Sequence, residues 1–130
     1  MVESYPFTAI VLALSLIVYI WVTLRVGRTR AQYKVAAPAT DGPVEFQRVF
    51  RVQMNTLEQL AVFMPSLALF AASWGDSPAA ALGIVWPISR ILYARSYYAG
   101  TNRSLGFGLS FILTVLLLLG GLVGAIMAAV

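Results

Sequence analysis

Between Tyr5 and Leu24 the chain carries no charged residue. A helix of that length crosses a hydrocarbon layer of about 30 Å, which takes roughly 20 residues. Three further apolar stretches follow, at about 44–74, 78–98 and 105–129. In 130 residues, four crossings leave little chain for anything else. With 60% hydrophobic and 11% charged residues and a mean hydropathy of +0.83, the composition lies far from that of a soluble domain. The expected fold is all-α: an integral membrane four-helix bundle of up-down-up-down topology, one domain over 1–130.

Helical propensity continues past Leu24 through "RVGRTRAQYK", so the first helix is expected over about 5–34, extending beyond the bilayer. "VAAPATDGPVE" then reads as a loop, with an Asp41-Gly42 turn and with Pro43 and Glu45 opening the second helix. Pro65 is expected to kink that helix, and "GDSP" to end it. Pro87 falls inside the third span, and "AGTNRS" turns the chain into the fourth. The N-terminal "MVESYPF" has Glu3 and no basic region, so the first span is expected to be retained rather than cleaved. "GGLVG", Gly120 to Gly124, has the small-residue spacing that permits close helix packing.

All nine basic residues lie near the first or third connection. By the positive-inside rule these connections are expected in the cytosol, with both termini on the opposite side. The arginines border apolar spans rather than forming a patch on a soluble module, so nucleic acid is not an expected partner. The sequence contains no Cys and no His, which excludes a cysteine nucleophile and a histidine base and leaves no expected metal site. Any thiol chemistry must use a thiol brought by the substrate.

The most informative stretch is "FQRVFRVQMNTLEQLAVF", Phe46 to Phe63. On a helix Arg48, Arg51, Asn55 and Glu58, spaced 3, 4 and 3 apart, form one polar stripe about 15 Å long. Ionisable groups at such a depth point into a bundle or a wet cavity rather than into lipid. Arg90, Tyr93 and Tyr97 repeat the spacing at the same end of the third span, with Asn102 and Arg103 just beyond and Arg30 at the same level from the first. Guanidiniums suit carboxylates and Glu58 suits an ammonium, so the cavity reads as a site for a small, mostly anionic zwitterion. Glutathione is one molecule of that kind. The plainer reading is that interlocked polar residues only hold helices or subunits together.

"GPVEFQRVFRVQMNTLEQL" and "RILYARSYYAGTNRSLG" together resemble the signature of the membrane-associated proteins in eicosanoid and glutathione metabolism. The resemblance covers essentially the whole chain. It implies four transmembrane helices, a homotrimer, and glutathione as co-substrate bound between neighbouring subunits. By position, Arg51, Gln53, Asn55, Glu58, Tyr93 and Tyr97 would contact glutathione, with Arg30 supplied by a neighbouring subunit. Arg48 and Arg90, on the same stripes, join the expected binding set. Arg103 matches the arginine that the family's transferases place beside the sulfur. Two positions depart from the family's leukotriene-conjugating synthases: Ala31 stands where they have a second arginine, and Gln59 where they have a tyrosine.

The implied function is a glutathione transferase or peroxidase acting in the membrane on lipophilic electrophiles or lipid hydroperoxides, with Arg103 as the catalytic residue and membrane lipid as surroundings. A non-catalytic lipid-binding or scaffold member of the family is the alternative. A small four-span drug exporter fits the size, but its membrane-embedded carboxylate has no counterpart between Tyr5 and Leu24.

Overall fold

A computed structural model describes residues 2–130, all helix and connection. Helix α1 is Pro6–Tyr33, α2 Val44–Trp74, α3 Asp76–Gly83, α4 Val85–Tyr98 and α5 Ser104–Ala129. The first, second and fourth expected spans match α1, α2 and α5 within a residue at either end. These three are each long and apolar enough to cross a membrane.

The third crossing departs from expectation: it is two helices, α3 and α4, broken at Ile84. Pro87 explains the break, because it offers no N–H to the Gly83 carbonyl and its ring crowds that position. Gly83 also sits where a Cβ would lie 2.8 Å from Leu67 Cδ1, so the chain bends at a point packed tightly against α2. Together α3 and α4 rise about 33 Å, enough for a full crossing. Pro65, by contrast, does not interrupt α2, which is helical throughout. Phe63, Ser66 and Leu67 around it are all buried, and their packing holds the helix through the missing hydrogen bond.

Pro6 opens α1 at a position whose N–H has no helical partner in any case. The α1 terminus has no side-chain cap of its own; Asp76, at the junction of α2 and α3, supplies one. Phe7 N donates to Asp76 Oδ2 at 3.0 Å and Thr8 N to Oδ1 at 2.7 Å. Burial pushes the Asp76 carboxyl up, but the hydrogen bonds from Thr8 and Phe7 outweigh it, and the group sits below its ordinary value.

In lipid, helices associate through close packing rather than removal of apolar surface from water. The core accordingly has tight contacts: Phe63 of α2 stacks on Trp86 of α4 with centroids 4.6 Å apart and planes within 8°, beside Leu67 and Leu117. The glycines of "GGLVG" serve within the chain. A Cβ at Gly121 would lie 2.8 Å from Leu69 Cβ, one at Gly124 would strike Ser73, and Trp74 Nε1 donates to the Gly120 carbonyl at 2.8 Å. Outside, Ile10, Ile17 and Leu24 on α1 and Ile112, Leu116, Leu119 and Val123 on α5 are exposed. Such a surface suits a hydrocarbon surround.

Candidate functional site

The polar stripe of α2 lies at the end of the bundle where α4 finishes and α5 begins. Arg51 Nη1 donates to Glu58 Oε1 at 3.2 Å, with the two side chains 53% and 56% exposed. Seven residues is close to two helical turns, so two long side chains meet along the helix surface. This is the only ion pair among the described residues.

Loop geometry brings Arg103 to the same place. Gly100 turns the chain with φ +72°, and a Cβ there would press the Arg48 guanidinium at 3.0–3.1 Å. Asn102 Oδ1 accepts from Ser104 N at 2.9 Å, fixing the start of α5. Arg103 precedes that start, and its guanidinium carbon lies 4.4 Å from the centroid of the Tyr97 ring. Tyr97 in turn meets Tyr93 edge-on, with centroids 5.5 Å apart. The N-terminus of a helix carries a partial positive charge, so α5 reinforces the guanidinium beside it.

These groups line a cavity of 490 Å³ in which Arg51, Arg103, Asn55, Asn102, Tyr93 and Tyr97 converge, closed on one side by Phe107. A second chamber of 480 Å³ shares Arg51, Tyr97 and Arg103 with it and adds Arg48, Gln47 and Asp41. Asn55 and Phe107 also border a third space, a groove of 220 Å³ walled by Val62, Phe111, Val115 and Leu118. A guanidinium-rich chamber thus adjoins an apolar groove between α2 and α5. In that groove the Gln59 amide has no hydrogen-bond partner among the described residues. Among the described residues no three acidic side chains gather as a metal would require.

Of the residues expected at the site, Arg51, Asn55, Tyr93, Tyr97 and Arg103 line the main cavity, Glu58 the groove and Arg48 the second chamber. Three lie elsewhere in the chain. Arg30 Nη1 donates to the carbonyls of Ala39 at 2.7 Å and Val35 at 3.4 Å, and so ties down the first loop. Gln53 Nε2 donates to Thr23 Oγ1 on α1 at 3.2 Å. Arg90 is fully buried beneath the cavity rather than in its wall.

The Arg90 guanidinium holds three helices. Nη2 donates to Asn55 Oδ1 and Thr56 Oγ1, each at 2.8 Å, and Nη1 to Ser110 Oγ at 3.3 Å. Its carbon lies 3.9 Å from the Tyr93 ring centroid. Thr56, Ser110 and Phe107 have no place in the sequence reading. The signal for the two hydroxyls was there, as polar residues within apolar helices, but their partner lies 34 and 20 residues away.

A family model described as the MAPEG family matches residues 8–123. An uncharacterized protein of Synechocystis sp. is 48% identical over 88% of this chain and 84% of its own length. Microsomal glutathione S-transferase 2 of Homo sapiens is 43% identical over 76% of this chain and 69% of its own. Leukotriene C4 synthase of Cavia porcellus is 31% identical over 75% and 65%. The chain therefore spans about two thirds of the length of the two relatives whose names carry an activity. With its apolar helices and a family match over nearly the whole chain, this integral membrane protein belongs to the MAPEG family.

Proposed function

We propose that the protein is a membrane-bound glutathione transferase in which Arg103 stabilises the glutathione thiolate. The observation that carries this reading is the convergence of Arg51 and Arg103, two phenols and two amides on one cavity that adjoins an apolar groove. Relatives named as a glutathione S-transferase and a leukotriene C4 synthase support it. The polar chamber suits the tripeptide, and the groove suits a lipophilic electrophile arriving through the bilayer.

A thiol of pKa about 8.5 is only about 3% ionised at pH 7. Lowering that pKa by about two units makes the thiolate the main form and requires about 2.7 kcal/mol of differential stabilisation. One guanidinium in a partly desolvated site, backed by the α5 terminus, supplies an effect of that size. The thiol proton passes to solvent and no basic side chain is needed. The thiolate sulfur then forms a bond to the electrophilic carbon, whose leaving group departs with the electron pair. Arg51, Asn55, Glu58, Tyr93 and Tyr97 hold the tripeptide, and Arg48 extends the positive field into the second chamber. A thiolate so stabilised also serves to reduce lipid hydroperoxides, with a second glutathione completing the disulfide.

Arg30 and Gln53 lie on the α1 side of α2, so they reach glutathione only across an interface with another copy. This fits a homotrimer with sites between subunits. The basic connections face the cytosol, and glutathione enters from there.

The test is ultraviolet absorbance on mixing the detergent-solubilised protein with glutathione at pH 7, beside calorimetric binding. A saturable thiolate band that disappears in Arg103→Ala is the expected result. Binding without a band favours a non-catalytic member of the family, and no binding overturns the reading.

A further inference from the structure

Arg90 raises a question that the transferase reading does not answer. Its side chain is wholly buried, yet among the described residues it has no carboxylate partner. A buried charge without a counter-ion persists only where its hydrogen bonds justify it. Here they end on Asn55, Thr56 and Ser110.

A guanidinium only donates, and an Asn amide has one accepting and one donating end. Facing Arg90, the Asn55 side chain must present Oδ1, because the reverse orientation would set NH2 against NH2. The NH2 end is thereby left for the cavity that Asn55 lines. Ser110 cannot substitute as a second orientation partner, since its own hydroxyl proton is given to the Phe107 carbonyl at 3.0 Å. Charge-assisted bonding at Oδ1 also polarises the amide and strengthens its N–H as a donor.

We propose that Arg90 is a positioning residue for the tripeptide: from beneath the cavity it locks the Asn55 amide with its NH2 toward the ligand, so that this position takes a hydrogen-bond acceptor, such as a carbonyl or carboxylate oxygen, and disfavours a donor. The proposal rests on the glutathione reading above. It assigns Arg90 a role distinct from direct contact, and it makes the buried charge part of substrate selection.

Asn55→Asp separates this role from stability. An aspartate gives Arg90 its missing counter-charge but turns an acceptor toward the cavity. Calorimetry of the full-length protein in detergent with glutathione, alongside thermal unfolding, is expected to show a Kd raised about tenfold or more with an unfolding temperature at or above wild type. A Kd within about twofold of wild type overturns the proposal. Arg90→Lys, which cannot present the same planar fork, gives the second readout. It is expected to weaken binding several-fold in the wild-type background and to add nothing to the loss in an Asn55→Ala background. Equal losses in both backgrounds overturn the positioning role, and this pair decides the matter if Asn55→Asp fails to fold. Absence of glutathione binding by the wild-type protein is a different failure: it removes the transferase reading, and the positioning role with it.

Discussion

Gly106 on α5 lies so close to Tyr93 on α4 that a Cβ there would sit 2.5 Å from the Tyr93 amide nitrogen and 2.8 Å from the Ser89 carbonyl oxygen. Backbone, unlike the end of a flexible side chain, cannot turn aside, so this one position sets the separation of the two helices beside the cavity. Gly106→Ala is expected to lower stability by about 1–3 kcal/mol through overpacking and to weaken glutathione binding several-fold by displacing Tyr93. Gly108→Ala, with nothing within 4 Å of its Cβ, is expected to leave stability unchanged or slightly raised through helix propensity. Thermal unfolding and calorimetry of the two variants check the contrast.

Arg51 and Glu58 make the opposite case. Their ion pair is more than half exposed, and exposed pairs contribute about 0.2–1 kcal/mol. Glu58→Gln is therefore expected to change the unfolding temperature little, while removing the carboxylate that suits the tripeptide's ammonium and weakening glutathione binding about tenfold. A variant that melts early with affinity intact would make Glu58 structural rather than ligand-binding.

Much of this arrangement was legible in the sequence. The four apolar runs gave the crossings, and the 3, 4, 3 spacing of Arg48, Arg51, Asn55 and Glu58 gave a polar face, because both depend on local helical geometry. Two features were not. Pro87 breaks its helix at Ile84 while Pro65 leaves α2 unbroken, and which proline does so depends on the packing around each, as of Gly83 against Leu67. Arg90 shares a stripe with Tyr93 and Tyr97, yet it sinks beneath the cavity because Asn55, Thr56 and Ser110 from other helices receive it there. Spacing along one helix tells which residues share a face, but not which neighbour that face meets or how deep each side chain lies.

Arg103 over the Tyr97 ring joins charge to a flat, stackable shape. Arg103→Lys keeps the charge but loses the planar contact that holds it in place. Its thiolate band is expected to persist with its apparent pKa raised by about one unit, a tenfold smaller thiolate-to-thiol ratio at a given pH. Arg103→Ala is expected to abolish the band near neutral pH. Titrating the absorbance of each variant at saturating glutathione separates the two effects; a lysine variant indistinguishable from alanine would show that charge alone does not stabilise the sulfur.

At the opposite end of the bundle, the Asp76 carboxylate caps α1 by accepting from Phe7 N and Thr8 N. Burial raises its pKa, but the hydrogen bonds from Thr8 and Phe7 prevail and hold it below the ordinary value. A lowered folded-state pKa means that the ionised form favours folding. This contribution is complete above the unfolded value near 4 and disappears as pH falls through the lowered one. Asp76→Asn keeps an acceptor but no charge, so it is expected to unfold at a lower temperature than wild type at pH 7. That difference is expected to hold down to about pH 5 and to shrink toward zero below about pH 4. Glutathione binding is expected to be unaffected at pH 7, because the cap and the cavity lie at opposite ends of α2. Unfolding temperatures of both proteins across this range decide it: a difference that persists unchanged in acid would mean that the cap works through geometry and not through charge.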